Sequence, residues 1–156
     1  MAEFATVSTC LWFESRGEEA ARFYVSLLPN SRIEAILRDP RDDRALVVYF
    51  VLGGTPYQIL NGGPNFTLDE AASISVMTDN QVETDRLWAA LTADGGKEVQ
   101  CGWLKDKFGV SWQIVPKVVP RLFLSEDRAA AGRAFQAMMT MVKIDAAAVE
   151  AAYESP

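Results

Sequence analysis

Tyr57-Gln58-Ile59-Leu60 and Trp112-Gln113-Ile114-Val115 are one phrase written twice: aromatic, Gln, Ile, aliphatic. The two glutamines lie at 58 and 113, an offset of 55. Each phrase closes a longer repeated passage. Val7 to Phe13 leads into Glu19-Ala20-Ala21-Arg22-Phe23-Tyr24-Val25-Ser26-Leu27, and Ser73-Ile74-Ser75-Val76-Met77 leads into Glu83-Thr84-Asp85-Arg86-Leu87-Trp88-Ala89-Ala90-Leu91. Arg22 and Arg86 are 64 apart, so the second copy is nine loop residues shorter. A duplication of this size sets the architecture before any site is considered. It predicts an α+β protein of two tandem βαβββ modules, about residues 5–61 and 71–116 of a region 1–116, and a helical extension over 117–156.

The local patterns fill in this frame. Ala5 to Phe13 is rich in Val, Thr, Leu and aromatics and predicts a strand. Ser15 is a candidate helix cap, and Glu18 to Leu28 carries apolar residues at helical spacing with Glu18 and Glu19 in the first turn. Strands are expected at Arg32–Arg38, Ala45–Leu52 and Pro56–Leu60, with Gly53-Gly54 as a tight turn. The second copy repeats the order. Its strands are Ala72–Thr78, Lys97–Lys105 with an interruption at Cys101-Gly102, and Val110–Pro116, and its helix is Gln81–Ala93. Lys105 and Asp106 bracket a turn and read as solvated. Beyond Ser125, Phe135, Met138, Met139 and Val142 form an apolar stripe that covers either the chain's own surface or a second copy. Asp145 can cap a last short helix.

Composition excludes whole classes of function. The chain has 156 residues, 49% of them hydrophobic, enough to build a core. Its net charge of −6 argues against phosphate-driven binding of nucleic acid and against anionic membranes. No apolar run is long enough for a membrane helix, and the N-terminus lacks the pattern of a signal peptide. Cys10 and Cys101 form neither a disulfide framework nor a metal knuckle, which suits a reducing cytoplasm. There is no histidine at all. The commonest metal ligand and acid–base group is therefore missing, and neither cysteine has an imidazole to activate it.

Two βαβββ units in tandem resemble the vicinal oxygen chelate (glyoxalase/bleomycin-resistance) superfamily. Cys10-Leu11-Trp12-Phe13, Glu19 to Tyr24, Leu60-Asn61-Gly62-Gly63-Pro64, Cys101 to Gln113 and Met141-Val142-Lys143-Ile144-Asp145 are similar to its PhnB-like group, which often bears the label 3-demethylubiquinone 3-methyltransferase. The resemblance covers essentially the whole chain. It implies that each module curls its sheet into half of an open barrel around a cup. It also implies four ligand positions, one on the first and one on the last strand of each module, which fall near Thr9, Gln58, Ser73 and Gln113. Hydroxyls and amides are poor ligands for a transition metal, so no metal cofactor is expected. The group's usual Gly-Gly-Pro-His-Phe is here Gly62-Gly63-Pro64-Asn65-Phe66. A Rossmann-type methyl-donor turn is also missing after the first strand, which ends in Phe13-Glu14-Ser15-Arg16-Gly17.

A buried amide must find partners, so Gln58 and Gln113 either face a ligand or bond to backbone inside the barrel. Modules related by a pseudo-twofold would direct Thr9, Gln58, Ser73 and Gln113 into one shared cavity, with Tyr57, Ile59, Trp112 and Ile114 against the helices. Trp12, Trp103, Trp112, Tyr49 and Tyr57 either line this cup or belong to the core. Trp103 is the best cup residue, because Gly102 beside it permits close approach of a ligand or of backbone. The expectation is a cytoplasmic, homodimeric small-molecule binding protein or metal-free enzyme. The alternatives are a metal-dependent lyase, isomerase or dioxygenase, a methyltransferase, and a non-catalytic scaffold.

Overall fold

The computed structural model describes residues 4–156. By contact density the chain divides into two units, one ending at Leu68 and one spanning Asp69–Pro156. Among the described residues no helix is long and apolar enough to cross a membrane.

The first unit holds β1 (Thr9–Phe13), α1 (Gly17–Leu27), β2 (Arg32–Arg38), β3 (Ala45–Leu52) and β4 (Thr55–Asn61), in one open sheet of order β1-β4-β3-β2. Only β1 and β4 run parallel. One face of the sheet lies under α1. Leu11, Phe13, Val48, Phe50, Leu52 and Ile59 of the sheet and Ala20, Ala21, Tyr24 and Leu27 of the helix are all buried. Covering each such Leu, Ile or Phe contributes about 1.5–3 kcal/mol relative to exposure. The alternate residues, among them Cys10, Tyr49 and Gln58, occupy the face without the helix.

Two sequence expectations fail here for identifiable reasons. Ser15 does not cap α1: the N-cap residue is Arg16, and no side chain of its own turn caps the helix. Asn61, at the end of β4, accepts the Gly17 N–H at 2.8 Å and donates to the Ala45 carbonyl at 2.9 Å. The cap thus comes from a residue distant in sequence. The first strand also begins at Thr9 rather than Ala5. Ser8 would stand opposite Pro56, which has no N–H to offer a ladder, and pairing stops one residue later at Thr9–Tyr57.

The second unit repeats the plan with β5 (Ser73–Thr78), α2 (Gln81–Thr92), β6 (Lys97–Glu98), β7 (Trp103–Lys105) and β8 (Ser111–Pro116), in the order β5-β8-β7-β6. Asn80 caps α2 by accepting from Glu83 N at 2.9 Å. Leu87, Trp88 and Leu91 of α2 and Ile74, Leu104, Trp112 and Ile114 of the sheet are buried. The break anticipated at Cys101-Gly102 separates β6 from β7. Three helices complete this unit: α3 (Val118–Phe123), α4 (Arg128–Met139) and α5 (Ala146–Glu154). Asp145 caps α5 by accepting from Ala148 N at 3.0 Å.

The tail packs within its own unit around Val119, Ala134, Ile144 and Val149, with Met138 against this cluster. Cys101 N and Gly102 N donate to the Met141 and Val142 carbonyls, both at 2.8 Å. The apolar stripe therefore splits: Met138 packs internally, whereas Phe135, Met139 and Val142 stay 44%, 46% and 42% exposed.

Candidate functional site

Strand register determines which candidates share a face. Cys10 pairs with Gln58, and Gln58 with Tyr49, so these three lie side by side on the uncovered face of the first sheet. Ser75 pairs with Gln113, and Gln113 with Trp103, so the second sheet places Ser75, Gln113 and Trp103 in the same arrangement. Ser73 lies on that face too, and accepts from Gln113 Nε2 at 2.9 Å. Ile59, Trp112 and Ile114 are buried on the helix-covered faces, and Tyr57 stacks on Phe50 there, with ring centroids 5.5 Å apart.

Thr9 is the exception. It pairs with Tyr57 and alternates with Cys10, so it has the parity of the helix-covered face, opposite to Gln58. The offset of 64 holds for the helices. Registering each opening strand on its closing strand matches Cys10 with Ser75 and Ser8 with Ser73, an offset of 65. The link from strand to helix is one residue shorter in the second copy, and a slip of one residue reverses every side chain in a strand. Ser8 and Cys10 are therefore the counterparts that sequence reasoning missed. The signal available was the cap: Asn80 follows Thr78 by two residues, while Arg16 follows Phe13 by three.

A broad concavity lies in the first unit. It is a cavity of about 890 Å³ whose lining includes Ser8, Arg32, Glu34, Tyr49, Tyr57 and Gln58. Residues 4–6 also line it, and the Phe4 ring meets Tyr49 edge-on at 4.9 Å. The segment released from pairing at Pro56 is thus one wall. Among the described residues nothing hydrogen-bonds the side-chain amide of Gln58. Burial raises the Tyr57 phenol above its ordinary pKa and keeps it protonated. Desolvation by the sheet likewise raises the Cys10 thiol, against a smaller opposing effect of its bond to the Leu60 backbone, which makes it a poor nucleophile at neutral pH.

Several motif residues turn out to hold the fold. Asp106 is 3% exposed and not solvated. It accepts from Phe108 N at 2.8 Å, Val110 N at 3.1 Å and the Trp112 indole at 2.8 Å, and so fixes the β7–β8 hairpin. Gly102, at φ +80°, admits the Ile114 carbonyl and the Ile144 side chain, so the close approach beside Trp103 is made by the protein itself. Gly62 lies against the Trp12 ring, whose indole donates to the Gly63 carbonyl at 2.9 Å.

The metal chemistry that the resemblance implies finds no matching donor set. Apart from the Glu34 carboxylate, which is paired with Arg32, the uncovered faces offer the hydroxyls, thiol and amides of Ser8, Cys10, Gln58, Ser73, Ser75 and Gln113, which are poor or protonated ligands for a divalent transition metal. Among the described residues no three His, Cys, Asp or Glu side chains converge as a metal site would require. Nor is there, among the described residues, a dinucleotide-type turn. Each sheet has a single parallel pair, and Gly53-Gly54, at φ +56° and +86°, form the β3–β4 turn.

Two open mixed sheets in this strand order, each covered by the helix after its first strand, define the glyoxalase/bleomycin-resistance fold. The chain shares it with a variant of the fosfomycin resistance protein FosX from Listeria monocytogenes, complexed with Mn(II) and 1S,2S-dihydroxypropylphosphonic acid, at 13% identity and a TM-score of 0.54, over 77% of this chain and 99% of that one. Protein PA1353 from Pseudomonas aeruginosa matches at 22% identity and a TM-score of 0.60, over 72% and 98%. The profile of the 3-demethylubiquinone-9 3-methyltransferase family matches residues 5–115. The PhnB protein from Bacillus cereus, a 3-demethylubiquinone-9 3-methyltransferase by its name, is 30% identical over 72% of this chain and 99% of its own, with a TM-score of 0.67. The chain belongs to this PhnB-like family. No curated protein sequence matches it.

Proposed function

We propose that this protein binds a small organic molecule, without a metal, in the cavity on the uncovered face of its first module. Gln58 is the central hydrogen-bonding group. Ser73, Gln113 and Trp103 form the corresponding face of the second module. One observation carries the reading: a side-chain amide left unbonded within the described protein, in a cavity of about 890 Å³ walled by aromatic rings. Ligand sites are commonly apolar hollows of about 300–1,000 Å³ with a few convergent polar groups. The Cys10 thiol beside it is held protonated, which favours binding over nucleophilic catalysis. The exposed Phe135, Met139 and Val142 support assembly as a homodimer, and two free cysteines support a cytoplasmic location.

Two measurements on the full chain test this. In a fragment screen read by amide chemical shifts, hits are expected to perturb Gln58, Tyr49 and Ser8 together. Elemental analysis after growth in metal-supplemented medium is expected to find no stoichiometric transition metal. A tightly held equivalent of Mn, Fe, Ni or Zn would instead support the metal-dependent reading.

A further inference from the structure

Among the described residues that line the first module's cavity, two are charged, Arg32 and Glu34, and they are paired with each other. Arg32 Nη2 lies 2.5 Å from Glu34 Oε1. The Glu34 side chain is 21% exposed and that of Arg32 is 60% exposed, so the carboxylate is the more enclosed of the two. Their convergence has a structural cause. Ile33 pairs with Phe50 and Ala35 with Tyr49, which makes Glu34 an extra residue in β2. Such a bulge re-aims side chains and is common beside functional sites. Among the described residues the remaining polar lining, including Gln58, Tyr49 and Ser8, is uncharged.

We propose that the Arg32–Glu34 pair acts as a charge filter, so that this cavity selects uncharged aromatic molecules over anionic ones, with Glu34 as the residue that sets the choice. This rests on the reading of the cavity as the binding site. The aromatic lining favours a ring that can stack or meet an edge. An unpaired arginine there would attract a carboxylate or phosphate. With Glu34 on it, an incoming anion must displace one carboxylate from the guanidinium and then remain close to that displaced charge. Like charges brought together in this way discriminate against the wrong ligand.

The test uses three probes of one shape and different charge: 2-naphthol, 2-naphthoate and 2-naphthylmethylammonium. Binding to the full chain at neutral pH is measured by calorimetry and amide shifts. 2-Naphthol is expected to bind about tenfold more tightly than 2-naphthoate. Glu34→Gln is expected to raise the naphthoate-to-naphthol affinity ratio about tenfold, because Arg32 is then uncompensated. Arg32→Gln should leave that ratio low and raise the relative affinity of the ammonium probe. Urea midpoints of both variants close to that of the parent establish that they fold. Naphthoate binding as tightly as naphthol at the Gln58 and Tyr49 resonances overturns the filter and leaves the site standing. An unchanged ratio in Glu34→Gln overturns it as well. If none of the three probes binds, the filter and the site fall together.

Discussion

The two modules share a plan, and one facing pair of residues separates their uncovered faces. In the second, Ser111 lies opposite Ser73, the strand keeps Ser73, and Gln113 donates to its hydroxyl. In the first, Pro56 takes the place of Ser111, pairing ends at Thr9, and Ser8 leaves the strand with residues 4–7. Gln58 then has no serine to bond, and the released segment becomes a wall of the cavity. A satisfied polar pair and an unsatisfied amide thus arise from the same duplicated strand. One proline, through the backbone donor it lacks, separates a closed face from an open one.

The comparison breaks most visibly at the hairpins. The β3–β4 turn of the first module is built on Gly53-Gly54, whereas the β7–β8 hairpin is tied by the buried Asp106 carboxylate and its three N–H donors. Asp106→Ala orphans two backbone amides and an indole. It is expected to cost about 3 kcal/mol or more of stability, read as a lower urea midpoint. A loss below about 1 kcal/mol would show that the hairpin is held by its strands alone and that the modules do not differ here.

A smaller and sharper contrast lies in the glutamines. Gln113→Ala removes a part-buried hydrogen bond and is expected to lower stability by about 1 kcal/mol. Gln58→Ala removes no side-chain bond and is expected to change stability by less than about 0.5 kcal/mol while weakening 2-naphthol binding about tenfold. Pro56→Ser should carry the second arrangement into the first module by letting the strand reach Ser8 and Gln58 find its hydroxyl, with probe affinity falling accordingly. If both glutamine variants behave alike, the modules are equivalent and Pro56 is incidental.

The duplication was legible because each copy keeps its apolar alternation and its helix spacing, and the two Gln-Ile strands were read on their correct faces. The opening strand was not. Copying the helix offset of Arg22 and Arg86 onto Thr9 and Ser73 ignored a strand–helix link one residue longer in the first copy, and period-two alternation turned that slip into the wrong face. Asn61 as a cap and Asp106 as a buried anchor depend on partners that only the folded chain brings together. Hydrophobic pattern assigns a residue to a strand or turn, but not the donors that will meet its polar atoms.

The smallest expected effect concerns the other enclosed carboxylate. Asp39, in the β2–β3 loop of the first module, is 3% exposed and meets Arg41 at 2.6 Å and Arg44 at 3.4 Å. Where Asp106 accepts from neutral donors, Asp39 accepts from guanidinium groups. Its hydrogen bonds to the Arg41 side chain, and then to the Arg41 backbone N–H, hold its pKa at about 2, below the ordinary 3.8. A carboxyl group whose pKa is depressed by folding stabilises the native state fully above its unfolded value, and the contribution is lost as pH falls through the folded one. The stability difference between the parent and Asp39→Asn should therefore be constant above about pH 5 and shrink as pH falls towards about 2. The difference should be small, because the Arg41 and Arg44 side chains are 79% and 62% exposed and solvent screens them. Urea midpoints of the two proteins across this range supply the measurement. A difference that persists unchanged below pH 2 would mean that Asp39 acts through its turn geometry, and the two modules would then use their buried carboxylates in the same way.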